Sequence, residues 1–204
     1  LDTLICCSDL LKEHSFYLKE LISEAKYLLG DEEEVLFAKM KNTGSKAWEK
    51  LQELLSSTLL VDIKINEEDK KLPLPIVRNM AYEKDAVLRK IAYEAELNSY
   101  DKVAVSSAAA LNGIKGEVIT ESKMRGYDSP LEMTLLYSRM DQETLDVMFT
   151  AIKEYLPSFR KYLKKKAEFL GHKNGLPFFD LFAPMGESEM KFTYEEAQDF
   201  IVKN

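Results

Sequence analysis

A proline-free stretch in the middle of the chain decides the fold, and its residues 85–124 read DAVLRKIAYEAELNSYDKVAVSSAAALNGIKGEVITESKM. Apolar residues recur in it every three or four positions, which places them on one face of a helix with 3.6 residues per turn. They are Leu88, Ile91, Ala95, Ala104, Ala108, Leu111, Ile114 and Val118. Gly113 and Gly116 each cost about 1 kcal/mol relative to Ala in a helix, which indicates close packing or a break. The stretch therefore predicts one long helix or two helices end to end.

Three more helices are predicted before residue 60, and a short one is predicted from Ile76. Apolar spacing indicates a helix over residues 11–28, which Gly30 ends, and the acidic residues 31–34 suit the first turn of a second, short helix. A third helix is predicted from Ser45, as its N-cap, to about Thr58. Its predicted buried residues are Trp48, Leu51, Leu54 and Leu55.

The hydrophobic period changes near residues 60–75. Apolar and polar residues alternate over residues 61–65, as they do in a half-buried strand. We expect a turn over residues 66–71 and a short partner strand over residues 72–74. Because Pro73 cannot donate a hydrogen bond to a ladder, the partner strand belongs at an edge. The region predicts one small β-hairpin and not a sheet-based fold.

Helical signals continue to the end of the chain. Ser129 is placed to cap a helix that begins at Pro130, and Asp141 is placed to cap a long helix that Gly171 ends. The sequence over residues 193–196 has the form of a capping box that opens a last helix. The predicted apolar stripe of the long helix is Leu145, Met148, Ile152, Tyr155, Phe159, Tyr162, Leu163, Ala167 and Leu170.

These elements predict a mainly α fold, a multi-helix domain with long antiparallel helices and one small β-hairpin near residues 60–75. We expect residues 1–204 to form a single helical region that is part of a larger domain. A sub-division is the alternative, with residues 1–58 as a helical N-terminal part and residues 59–204 as the hairpin plus the long helices. The chain starts at Leu and stops within a predicted helix, which favours a fragment of a longer protein.

Charge and composition limit the classes of partner. The formal net charge is -7 and the pI is about 5.1, whereas nucleic-acid-binding proteins concentrate Lys and Arg on one face. No stretch approaches the roughly 18 to 20 consecutive apolar residues that span a bilayer. The two cysteines, Cys6 and Cys7, are adjacent and so cannot join distant segments, which suits a reducing cytoplasm. We therefore expect a cytoplasmic protein without a nucleic-acid or membrane partner.

Few residues are candidates for chemistry. A helical zinc-peptidase site needs two histidines four residues apart with a glutamate between them, but His14 and His172 are each followed four positions later by Leu. Both are expected to be structural or solvated. Cys6 or Cys7 could pair with His14 across two helical turns, but apolar surroundings disfavour the thiolate. We predict no catalytic or metal-binding residue in this chain.

Two further groups have an ordinary structural interpretation. The acidic residues 31–34 could bind a cation, but consecutive acids at the start of a helix point in several directions and usually stabilise that helix end. Tyr155, Phe159 and Tyr162 could line a peptide groove, but core packing is the favoured interpretation of their spacing. Substrate-contacting residues are unknown at this stage.

Several segments, in their order along the chain, resemble oligoendopeptidase F and its relatives in the thimet oligopeptidase superfamily. The resemblance covers roughly residue 31 to the end, and Phe179 departs from it where relatives often have Tyr. The segments are Gly44-Ser45-Lys46-Ala47-Trp48 with Leu51, Leu88-Arg89-Lys90-Ile91-Ala92-Tyr93-Glu94-Ala95, Ala110-Leu111-Asn112-Gly113-Ile114-Lys115-Gly116, Arg125-Gly126-Tyr127 with Ser129-Pro130, Arg160-Lys161-Tyr162 with Lys165-Lys166-Ala167, and Asp180-Leu181-Phe182-Ala183-Pro184.

The resemblance implies a helical zinc metallo-oligopeptidase that hydrolyses short peptides in a deep channel. In such enzymes the His-Glu-x-x-His zinc helix lies downstream of the Asp-Leu-x-Ala-Pro region, so this chain would supply channel wall and scaffold. It would then bind no zinc, would be inactive alone, and could self-associate through a surface that the missing part leaves exposed. The alternative is a stand-alone helical protein-interaction module without enzymatic activity.

Overall fold

The computed structural model describes residues 2–186 and 191–203, and these form a mainly α-helical fold with one two-stranded sheet, as predicted. The helices are α1 (Asp2–Ile5), α2 (Asp9–Glu13), α3 (Ser15–Ala25), α4 (Asp31–Lys41), α5 (Ser45–Thr58), α6 (Leu74–Asn79), α7 (Ala86–Ser99), α8 (Ala104–Met124), α9 (Pro130–Tyr137), α10 (Gln142–Phe169) and α11 (Tyr194–Lys203). The strands are β1 (Leu60–Ile65) and β2 (Glu68–Pro73), and short 3-10 turns span Met80–Tyr82, Tyr100–Lys102 and Phe178–Asp180.

The chain divides into two compact units, each made of two segments of sequence. Unit 1 comprises Leu1–Leu60 and Leu97–Arg160, and unit 2 comprises Val61–Glu96 and Lys161–Asn204. Each unit is described by itself below. The expectation of a single helical region stays a prediction.

The stretch over residues 85–124 forms two helices, α7 and α8, which the turn Tyr100–Lys102 separates. In unit 1, α8 packs against α5. The contact is close at Gly113, where an added Cβ would lie 2.6 Å from Nε1 of Trp48. Gly116 has no atom within 4 Å of the same position, so close packing explains Gly113 and not Gly116.

The predicted bounds of α5 are confirmed, but the prediction that Ser45 is its N-cap is wrong. Gly44 precedes the helix, and Ser45 is its first residue. The backbone N–H and the hydroxyl of Ser45 both donate to the carboxylate of Glu117, at 2.5 and 2.6 Å. A carboxylate from α8 therefore satisfies the free donor that a side-chain cap would otherwise satisfy. Two residues predicted to be buried, Trp48 and Leu54, are also exposed over more than a third of their surface.

The first predicted helix is interrupted. The backbone leaves helical geometry at His14, with φ −93° and ψ 14°, so α2 ends and α3 begins on either side of it. Apolar spacing continues through residue 14, which is why the period alone did not reveal the break. The acidic first turn of α4 is confirmed.

The hairpin is confirmed, but its turn is shorter than predicted. Asn66 and Glu67 alone connect β1 to β2, and both have positive φ, 53° and 64°. Two such residues match the twist of the flanking strands. The prediction failed because β2 begins with four charged, exposed residues that show no alternation. Val61 and Ile63 of β1 are buried, and Pro73 is the last residue of β2.

The predicted N-terminal caps of three helices in the second half of the chain are confirmed. Ser129 Oγ accepts a hydrogen bond from the backbone of Glu132 at 3.1 Å, and Asp141 Oδ1 accepts one from the backbone of Thr144 at 2.7 Å. The backbone bond to Thr144 lowers the pKa of Asp141. Thr193 and Glu196 form the reciprocal capping box before α11, at 2.8 and 3.2 Å.

The apolar stripe of α10 is largely exposed, contrary to the prediction of core packing. Only Lys166 and Ala167 are buried on this helix. Helical spacing shows which side chains share a face, but not whether another element covers that face. The exposed stripe residues are Met148, Ile152, Tyr155, Phe159 and Tyr162.

Within the described residues, no helix is both long enough and apolar enough to cross a bilayer.

Candidate functional site

A buried ion pair lies within unit 2. Asp180, at the end of a 3-10 turn, is 1% exposed, and Arg89 of α7 is 3% exposed. Nε and Nη2 of Arg89 each lie 2.8 Å from Oδ1 of Asp180. Nη1 of Arg89 donates to the carbonyls of Glu83 and Lys84, at 2.7 and 2.9 Å. A buried charge is tolerated when it is paired and hydrogen-bonded in this way.

His172 completes the contacts of the Asp180 carboxylate. Its Nε2 lies 2.6 Å from Oδ2 of Asp180, so each carboxylate oxygen has a partner. The imidazole is partly exposed and its edge lies against the ring of Phe179. The structural role expected for His172 fits these contacts.

A buried lysine fixes the backbone that follows Asp180. Lys166, in the last turn of α10, is 5% exposed, and its ammonium group donates to the carbonyls of Leu181 and Ala183 at 2.9 and 2.8 Å. Arg89 therefore binds the side chain of Asp180, and Lys166 binds the backbone of the residues that follow it. Three segments noted for their resemblance, around Arg89, Lys166 and Asp180, thus meet in unit 2.

A cavity of about 300 Å³ adjoins this ion pair, and we refer to it as the aromatic cavity. Ring centroids lie 5.2 Å apart for Tyr82 and Phe182, and 5.7 Å apart for Tyr93 and Phe178. Its walls come from α6 with the following turn, from α7, and from the turn that contains Asp180. The main apolar lining residues are Val77, Tyr82, Ala92, Tyr93, Phe178 and Phe182.

The charges that line the aromatic cavity balance locally. Arg78 pairs with Glu96, with Nε and Oε1 2.8 Å apart, and Arg89 pairs with Asp180. The cavity therefore has a mainly apolar lining, and its charged side chains are paired. Sequence reasoning missed it because its rings come from three separate segments, and spacing along the chain does not show that they converge.

A second group of ion pairs lies in unit 1, around Arg125 of the Arg125-Gly126-Tyr127 motif. The guanidinium of Arg125 makes a bidentate contact with Glu34, at 2.6 and 3.0 Å, and its Nε donates to Glu121 at 3.0 Å. The hydrogen bonds from Arg125 are the main reason that the pKa of Glu34 is lowered to about 2. The ring of Tyr127, from the same motif as Arg125, stacks on that of Tyr27 with centroids 3.9 Å apart, and burial raises the pKa of Tyr127.

The other candidate residues do not meet in a site. Cys6 and Cys7 are exposed free thiols, and the sulfur of Cys7 donates to the carbonyl of Thr3 at 3.1 Å. In the acidic group at residues 31–34, Glu33 accepts from the backbone of Gly30, and Glu34 binds Arg125. Among the residues that the structure describes, no three His, Cys, Asp or Glu side chains are grouped to hold a metal ion. The described residues thus assemble no ligand set for a zinc ion.

The known proteins to which this chain is similar include several oligopeptidases. The family model described as Oligopeptidase F matches residues 1–60. The chain is 24% identical over 192 residues to an oligoendopeptidase F homolog of Lactococcus lactis, which covers 91% of this chain and 31% of that protein. It is 25% identical over 198 residues to the oligopeptidase PepF of Bacillus subtilis, which covers 95% of this chain and 29% of that protein.

A solved structure shares the fold. The crystal structure of oligoendopeptidase-F from Enterococcus faecium superposes with a TM-score of 0.73 at 19% identity, over 87% of this chain and 35% of that one. The chain thus spans about a third of the length of the relatives it matches. The predicted resemblance to oligoendopeptidase F is confirmed.

Proposed function

We propose that this chain is part of a zinc metallo-oligopeptidase that hydrolyses short peptides, within the oligoendopeptidase F family. The observation that carries the proposal is the similarity to proteins of that name over more than nine-tenths of the chain. Because the chain spans about a third of those proteins, most of the enzyme would lie in polypeptide outside these residues. The two adjacent, free cysteines are compatible with a cytoplasmic enzyme.

The role of this segment is to form wall and scaffold of the peptide channel. The exposed apolar face of α10 supports this role, since an apolar patch of this kind marks an interaction surface. In the proposed enzyme the remaining polypeptide covers that face. Self-association of the isolated segment would follow from leaving it uncovered.

Zinc would be held by residues beyond this chain. His14 is at a helix break and His172 is engaged with Asp180, so neither is arranged with other ligands. We expect the segment alone to be inactive, because the described residues include no group of metal ligands that would activate a water molecule for attack on an amide bond.

The test begins with the natural reading frame around these residues. We expect it to encode a His-Glu-x-x-His segment beyond residue 204, and the encoded polypeptide to cleave short internally quenched peptides but not folded proteins. A zinc chelator should abolish cleavage and added zinc should restore it, while the isolated segment should show none.

A natural polypeptide that ends at residue 204 would contradict the enzyme proposal. The stand-alone helical interaction module would then be the leading function. Cleavage by the isolated segment that resists chelation would contradict the scaffold role instead.

A further inference from the structure

We propose that the aromatic cavity of unit 2 is a binding site for a neutral aromatic side chain of a peptide. The cavity is about 300 Å³, a size typical of sites that bury a small apolar group. The five aromatic rings that border it are those of Tyr82, Tyr93, Phe178, Phe179 and Phe182. That the aromatic group belongs to a peptide rests on the proposed function; the preference for a neutral aromatic group rests on the cavity alone.

The backbone that carries one wall of the cavity is held by buried hydrogen bonds. One wall is the turn that contains Phe178, and the buried pair of Asp180 with Arg89 ties this turn to α7. The two backbone hydrogen bonds from Lys166 fix the residues that follow, including Phe182. A site whose walls are held in this way loses little conformational entropy on binding.

The exposed rings at the opening support the inference. Phe178 and Tyr82 are 66% and 62% exposed, although each lies within ring-stacking distance of another aromatic residue. A bound aromatic group would cover part of these rings and add an offset or edge contact with them. An aromatic ligand therefore forms ring contacts at the opening that a small aliphatic ligand cannot form.

Charge selects a neutral group over an ionised one. The cationic side chains that line the cavity, Arg78 and Arg89, are paired with Glu96 and Asp180. A carboxylate or ammonium entering the cavity would lose its hydration without gaining an unpaired counter-charge, which is costly. We expect the order of affinity to be phenylalanine above alanine, with aspartate below both.

The test measures peptide binding to the polypeptide that the natural reading frame encodes, after treatment with a chelator so that no hydrolysis occurs. The probes are acetyl-Ala-Phe-Ala-amide, acetyl-Ala-Ala-Ala-amide and acetyl-Ala-Asp-Ala-amide, followed by calorimetry and ligand NMR. Phe178→Ala should weaken binding of the Phe peptide about threefold to tenfold, the effect expected from one lost aromatic contact. Phe182→Ala gives an independent second measurement.

The matched control is Phe169→Ala, because Phe169 has the same 66% exposure as Phe178 but does not border the cavity. It should leave binding unchanged, and far-UV circular dichroism should show that all variants are folded. Equal binding of the three peptides, no binding of the Phe peptide, or equal losses in the Phe178 and Phe169 variants would each overturn the proposal.

Failure of the cavity proposal can be distinguished from failure of the proposed function. A polypeptide without a zinc motif could still bind the Phe peptide through Phe178, and an active peptidase could bind it only elsewhere. In the second case Phe178→Ala would have no effect on affinity, and the cavity proposal alone would fail.

Discussion

Replacing Gly116 by Ala should stabilise unit 1, whereas replacing Gly113 by Ala should not. Both glycines lie within α8, so each replacement gains about 0.8–1.0 kcal/mol of helix propensity. The new Cβ at position 113 would lie 2.6 Å from Nε1 of Trp48, whereas at position 116 it would have open space. Both variants therefore gain the same helix propensity, and only the variant at position 113 has a steric clash with Trp48.

The size of the clash sets the expected difference. Extra atoms in a well-packed contact cost about 1–3 kcal/mol, because neighbouring side chains or backbone must shift. Gly116→Ala should therefore stabilise by about 1 kcal/mol, and Gly113→Ala should be neutral or destabilise by up to about 2 kcal/mol. The difference between them should be about 1–3 kcal/mol.

Urea unfolding followed by tryptophan fluorescence measures this difference directly, since Trp48 is the single tryptophan and lies at the contact. Far-UV circular dichroism provides a second probe of the same transition. The emission of folded Gly113→Ala should also differ from that of the parent, because the indole must move. Equal stabilisation by both replacements would refute the packing of Trp48 on Gly113.

Three other predictions concern charges and caps. Asp180→Asn leaves Arg89 buried without a counter-charge and should lower the free energy of unfolding by about 3–5 kcal/mol in urea. Because the pKa of Glu34 is lowered to about 2, its pair with Arg125 stabilises the fold above the ordinary carboxyl pKa of about 4.3 and loses that effect as pH falls towards 2. Glu34→Gln should therefore weaken the acid dependence of the unfolding midpoint between about pH 5 and pH 2. Ser129→Ala removes the cap of α9 and should cost about 1 kcal/mol in thermal or urea unfolding.

Exposed residues of the same type provide the controls. Asp199→Asn, Glu32→Gln and Ser138→Ala should each change stability by less than about 0.5 kcal/mol. An Asp180 variant as stable as the Asp199 variant would show that the buried pair does not form. An acid profile of Glu34→Gln identical to that of Glu32→Gln, or equal stability of the two serine variants, would contradict the other two predictions.

Helix starts were predicted correctly where a capping side chain was followed by apolar residues at helical spacing. Ser129, Asp141 and the box at residues 193–196 combine a side-chain acceptor with a following helical pattern, and each is confirmed. The predictions failed where a distant residue intervened. Glu117 replaces the cap expected from Ser45, a contact across 72 positions that local patterns do not contain.

The candidate site was much less predictable than the fold. The resemblance identified the segments around Arg89, Lys166 and Asp180, but not that their side chains converge. A buried Arg or Lys has no distinct local pattern, because the same residue types are usually exposed. Burial of α10 was also mispredicted, since covering its apolar face requires polypeptide that the period does not specify.

The burial of Lys166 has a consequence for chemical labelling. Lys164 and Lys165 are exposed, whereas the ammonium of Lys166 is enclosed and donates to two carbonyls. An amine-reactive reagent should therefore modify the first two lysines of this run quickly and the third only after the surrounding structure opens. The rate of modification of Lys166 then reports how often unit 2 opens. Lys164 and Lys165, on the same peptide, provide the internal reference.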